Sequence, residues 1–108
     1  MTEMSMEEKY GPKVMSPIHP GEILSEEFLI PMNITPRHLA KAIGVDVNLI
    51  QAIVKCQEPV TAEIALLFSR FFGTSAELWA GLQLQYDLEM AEDRLAEKLD
   101  TVTAYSPE

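Results

Sequence analysis

Residues 35–54 read TPRHLAKAIGVDVNLIQAIV, and this stretch decides the fold. The Thr35 hydroxyl can cap free backbone N–H groups, and Pro36 tolerates the first helical position. The spacing predicts a helix from there to about Ala42. Gly44 stops it, because glycine suits the left-handed conformation that ends helices. Asp46 caps a second helix that runs to Val54, with Ile50, Ile53 and Val54 as its apolar stripe. Only about three residues connect the two. Ala40 is small where the helices would cross, and Leu39, Val45 and Ile50 would hold them at a steep angle. That is the pattern of a DNA-binding helix-turn-helix, whose second helix enters a major groove. A short helical hairpin that merely packs is the plain alternative.

Working outward, Pro20-Gly21 precedes a predicted helix over residues 22–29. Ile23, Leu24 and Phe28 form one face, and Glu22, Glu26 and Glu27 the other. Pro31, Met32 and Asn33 are expected to break it. After the loop Lys55-Cys56-Gln57-Glu58-Pro59-Val60, Thr61 caps a fourth helix, about 62–72, closed by Gly73. Thr74 or Ser75 caps a fifth, from about Ala76 through Met90, with a continuation to Leu99 left open. No stretch alternates as a strand would. The expected fold is all-α, five helices. Residues 1–17 are expected to be a loosely ordered arm, 18–90 the helix-turn-helix domain, and 91–108 a helix extension and tail.

The chain has 108 residues, enough for one domain. Its net charge is −9, from 8 Lys and Arg against 17 Asp and Glu. The acidity is uneven. Residues 1–33 balance at −4 and residues 74–108 at −6, while Arg37, Lys41, Lys55 and Arg70 against Asp46, Glu58 and Glu63 leave residues 34–73 at +1. So the helix-turn-helix is the one non-acidic segment, which removes the blanket objection to a DNA partner without creating a basic face. Cys56 is the only cysteine, so no internal disulfide or cysteine-based zinc site is expected. The first ten residues do not read as a signal peptide. No apolar run approaches the roughly 20 residues of a membrane span. The expected place is the cytoplasm, and no cofactor is implied.

Two longer blocks carry a resemblance. His19-Pro20-Gly21-Glu22-Ile23-Leu24 with Glu26-Glu27-Phe28-Leu29 resembles the opening of the HigA antitoxin family, the VapI-like addiction-module antidotes of the lambda-repressor-like (Xre) helix-turn-helix superfamily. Leu39 to Val45, Thr61 to Leu66, Phe71 to Trp79, Leu82-Gln83 and Tyr86-Asp87-Leu88 continue it. The resemblance covers about residues 18–90. It implies a five-helix lambda-repressor-like domain with an extended C-terminal helix, through which such proteins usually dimerise. It also implies an antitoxin that binds a small basic HigB-like mRNA-cleaving toxin and represses its own operon on palindromic double-stranded DNA. A two-fold dimer would then read half-sites about 34 Å apart, or a multiple of that.

The departures from the family pattern fall on the DNA face. Family members usually carry Arg or another polar residue early in the reading helix, where this chain has Val47 and Leu49. The loop that commonly reads Asn-Gly-Lys-Arg is here Lys55, Cys56, Gln57 and Glu58. Pro36 stands for the usual Gln, and Leu67 for an Arg. Fewer phosphate partners mean weaker binding with a flatter salt dependence. Candidate DNA contacts are Arg37, Lys41 and Lys55 for phosphate, Asn48 and Gln51 for adenine, and Val47 for a thymine methyl. Val47 and Leu49 equally suit an apolar patch for a protein partner. A helix-turn-helix interaction module that no longer binds DNA, and a stand-alone repressor with no toxin, are therefore the alternatives.

Trp79, Leu82 and Tyr86 form a stripe that faces either a core or a dimer partner. Asp87, Glu89, Glu92 and Asp93 form an acidic run, either a solvated face or a surface for a basic toxin. His19 has no nucleophile or orienting carboxylate placed with it by any motif, so a structural role at the helix start is expected. No glycine-rich phosphate loop and no catalytic constellation is present, and the chain does not read as an enzyme.

Overall fold

The computed structural model describes residues 17–107, and all regular structure there is helical. The predicted arm at 1–17 lies outside the described residues apart from Pro17. Six helices follow in order: α1 (residues 20–32), α2 (Pro36–Ile43), α3 (Val47–Val54), α4 (Ala62–Phe72), α5 (Ala76–Arg94) and α6 (Ala96–Thr101). No helix among the described residues is long and apolar enough to cross a membrane.

Side-chain caps set where most helices begin. The Thr35 hydroxyl accepts from His38 N–H at 3.0 Å, Asp46 Oδ1 from Asn48 N–H at 2.7 Å, and Thr61 from Ile64 N–H at 3.3 Å. Ser75, rather than Thr74, caps α5 by accepting from Leu78 N–H at 3.1 Å. Thr74 serves the core instead: its hydroxyl accepts from Trp79 Nε1 at 2.8 Å. Gly44 and Gly73 end α2 and α4 at φ +77° and +73°, where a Cβ would be strained.

Helix α1 departs from expectation at both ends. It begins at Pro20, with His19 as its cap, and it passes through Pro31 to Met32. The reason lies in its middle. Leu24–Leu29 winds as a π-helix, and Ile30 N–H bonds to the Ser25 carbonyl five residues back. A proline ring crowds the carbonyl four residues earlier and donates no hydrogen bond. The wider turn ahead of Pro31 relieves both demands. The helix ends at Asn33, left-handed at φ +58°, with Ile34 N–H bonded to the Leu29 carbonyl at 2.9 Å.

The C-terminal helix does extend past Met90, but not unbroken. Leu95 leaves helical geometry at φ −104°, ψ 11°, and α6 starts anew behind it.

Leu24, Leu39, Ile50, Ile53, Phe68 and Trp79 are fully buried, so α1 to α5 all feed one core. Trp79 is its aromatic centre, with the Phe28 and Phe68 rings each 5.0 Å away. Burying such side chains contributes roughly 1.5–3 kcal/mol each. That core fixes the angle at which α2 and α3 present their outer faces.

Candidate nucleic-acid interface

Helices α2 and α3 pack through Leu39, Ala40 and Ile50, none more than 2% exposed. Ala40 leaves room at the crossing, and its carbonyl accepts from both Gly44 N–H and Val45 N–H at 2.9 Å. This is the tight turn between a supporting helix and a reading helix.

The sequence candidates separate once α3 is fixed. Asn48, Gln51 and Lys55 are all exposed and recur every three or four residues along one edge. Val47 and Leu49 are half-buried and pack against the core cluster. They are therefore not a free apolar patch, and Val47 has little surface to offer a base. Arg37 and Lys41 are exposed on α2, four residues apart and so on one face. Leu67, at the position where an Arg is common, is likewise half-buried against the core.

The loop after α3 is held in an unusual way. Lys55 ends the helix, and Cys56 follows at φ +63°, a left-handed conformation that non-glycine residues rarely adopt. Cys56 N–H bonds the Ile53 carbonyl at 2.9 Å and Gln57 N–H the Ala52 carbonyl at 2.8 Å, the paired bonds of a glycine-type helix end. So the turn survives the loss of glycine, and the cost sits in Cys56. Partial burial, and then the Glu22 carboxylate, raise its thiol above the ordinary value, while the Glu22 backbone N–H opposes them. The thiol is protonated at neutral pH.

Two supports of this surface come from outside α2 and α3: Gln83, whose role escaped the sequence reading, and His19, whose structural role at a helix start was expected. Gln83, 8% exposed, accepts from Val60 N–H at 2.8 Å through Oε1 and donates to Asp87 Oδ1 at 2.9 Å through Nε2. The signal was present: Gln83 is the polar member of a helix face otherwise made by Trp79 and Tyr86. The second support is His19. Its Nδ1 accepts from Gly21 N–H at 2.8 Å, and its ring meets the Tyr86 ring edge-on at 4.8 Å. Burial lowers the His19 pKa below its ordinary value, while Asp87 and then Glu22 pull it back up. It is a cap and a packing residue, with its acceptor nitrogen already engaged.

Trp79 is 0% exposed, Leu82 is partly buried against the core, and Tyr86 is half-buried beside His19. All three are used within one chain. On the opposite side of α5, Leu84 and Leu88 are 59% and 55% exposed, and Leu95 and Leu99 beyond its end are 44% and 46% exposed. Helix α5 thus has two apolar faces.

A tightly turned helix pair on an all-α core, with polar side chains along the outer edge of the second helix, defines a helix-turn-helix domain. No family model matches the chain. Virulence-associated protein I of Dichelobacter nodosus is 48% identical over 82 residues, 76% of each chain. Antitoxin HigA-1 of Vibrio cholerae is 34% identical over 82 residues, 76% of this chain and 77% of that one. A HigA-family addiction-module antidote from Coxiella burnetii superposes with a TM-score of 0.79 at 40% identity, covering 84% of this chain and all of that one. The chain belongs to the HigA family of addiction-module antidotes. The Pseudomonas aeruginosa antitoxin HigA, solved with the higBA promoter, has a TM-score of 0.80 at 36% identity over 83% of this chain and 99% of that one.

Proposed function

We propose that this chain is the antitoxin of a type II toxin–antitoxin module. It represses its own operon as a DNA-binding dimer and neutralises a small, basic, HigB-like mRNA-cleaving toxin by direct binding. It works in the cytoplasm and without catalysis; its relatives are antitoxins and transcription regulators. The observation that carries the DNA half is the exposed edge of Asn48, Gln51 and Lys55 on α3, with Arg37 and Lys41 exposed on α2, on the fold of an antitoxin solved with its promoter.

Arg37, Lys41 and Lys55 meet phosphate, which positions the domain. Asn48 and Gln51 each present a paired donor and acceptor, which suits the major-groove edge of adenine. With the Trp79 stripe used inside the chain, the second copy docks on the opposite leucine face of α5. The acidic run at Asp87, Glu89, Glu92 and Asp93 suits a basic toxin.

The alternative of an interaction module that has lost DNA binding leaned on Val47 and Leu49 as a partner patch, and their half-burial weakens it. Glu58, exposed where a cation is common, still favours it. A gel-shift series against the upstream region at several salt concentrations tests repression: a specific shift that weakens with salt is expected. No specific shift at low salt ends the DNA half. Co-expression with the adjacent small basic protein tests the toxin half: a complex and restored growth are expected, and their absence ends it.

A further inference from the structure

We infer that Gln83 is a positioning residue for operator binding, a side chain on α5 that holds the loop behind the reading helix in place from inside the core. The inference rests on the DNA-binding reading. Gln83 lies 23 positions from the group it binds, the N–H of Val60. Its amide can face only one way. Asp87 accepts but cannot donate when ionised, so the amide nitrogen must turn to it and the oxygen is left for Val60. The Val60 side chain is itself 3% exposed, so the loop is fixed by a buried peg and a buried hydrogen bond together.

The loop needs that anchor. Its other end is held by the paired bonds of Cys56 and Gln57, but in a conformation that a cysteine disfavours, so that end stays in place only while the Val60 end is fixed. Gln57, Glu58 and Pro59 between the anchors are exposed. Lys55, the cation at the end of the reading edge, stands at the start of this loop. Removing the Gln83 amide leaves the buried Val60 N–H without a partner, and the loop must open to satisfy it with water. Lys55 then loses its fixed place beside phosphate.

The test is a double-mutant cycle on operator affinity, measured by fluorescence anisotropy with the full chain and the upstream DNA. In the wild-type background, Lys55→Ala is expected to weaken binding about three- to tenfold. Gln83→Leu should weaken it by about tenfold, and Lys55→Ala should add nothing in that background. The pair Gln83→Glu with Asp87→Asn keeps an acceptor for Val60 and a donor beside it, and should recover most of the affinity. Thermal melts in the same buffer establish that each variant is folded. If Gln83→Leu is not, Asp87→Ala, which leaves the amide but frees its orientation, replaces it in the cycle. Additive effects of the two substitutions overturn the inference. So does unchanged affinity in a folded Gln83→Leu chain, or a Lys55→Ala chain that binds as wild type does. A wild-type chain with no specific shift defeats the DNA-binding reading instead.

Discussion

Gly21, at the start of α1, lies directly against the carbonyl oxygen of Ile53, in the last turn of α3. A methyl group on Gly21 would overlap that oxygen, and the obstacle is backbone rather than a side chain that could swing away. The opening helix therefore braces the end of the reading helix through the absence of one carbon. Gly21→Ala should destabilise the fold by about 1–3 kcal/mol, as overpacking does. Urea unfolding measures it, and a shift within about 0.5 kcal/mol would contradict the close approach.

Cys56 makes the opposite case. It occupies a left-handed position that glycine adopts freely. Cys56→Gly should stabilise the protein by about 0.5–1 kcal/mol, the relief of strain exceeding the added freedom of the unfolded chain. Cys56→Ala keeps the strain and should gain little. Equal melting temperatures for the glycine and alanine variants would mean that the turn is not strained.

His19 ties stability to pH. Burial keeps the imidazole neutral in the fold, while the unfolded chain takes up a proton near the ordinary value of 6.5. Between that value and the lower folded one the unfolded state binds more protons, so stability falls as pH falls. A protonated ring would also lose the nitrogen that accepts from Gly21 N–H. His19→Asn keeps an acceptor without the titration. Denaturant midpoints from pH 7.5 to 5.5 should fall more for the wild type than for the variant; parallel slopes would exclude the histidine as their source.

On the reading face, Asn48→Ala and Gln51→Ala should each cost about 1–3 kcal/mol of operator affinity and relax base preference at one position per half-site. Arg37→Ala and Lys41→Ala should weaken all sequences alike and each lower the salt slope by about 1. Affinities across a panel of single-base operator variants separate the two behaviours. Uniform loss in the Asn48 and Gln51 variants would remove them as base readers.

Leu84→Glu together with Leu88→Glu changes side chains that the core does not use. The helical circular dichroism signal should persist while sedimentation shows a shift toward monomer, with weaker operator binding. A folded dimer in that variant would place the self-contact elsewhere.

Much of the fold was legible because its punctuation is local. Thr35, Asp46 and Thr61 cap as their chemistry suggests, and Gly44 and Gly73 end helices as left-handed residues. Pro31 misled because a proline normally ends a helix, and nothing local announces the π turn that lets this one continue. The candidate site was legible in composition but not in direction. Val47 and Leu49 lie within one residue of Asn48, yet the turn of about 100° per residue points them toward the core and Asn48 away from it. Gln83 and Gly21 act on groups distant in sequence, and no spacing rule reaches that far.

Helix α5, apolar on two faces, would also set a dosage law for the proposed dimer. The inner face is satisfied inside every copy, whereas in the proposed dimer the leucine face is covered only when two copies meet. While monomers predominate, the species able to span two half-sites grows with the square of chain concentration. Halving the protein then cuts that species roughly fourfold. Repression built on such a helix would release abruptly as the chain is depleted.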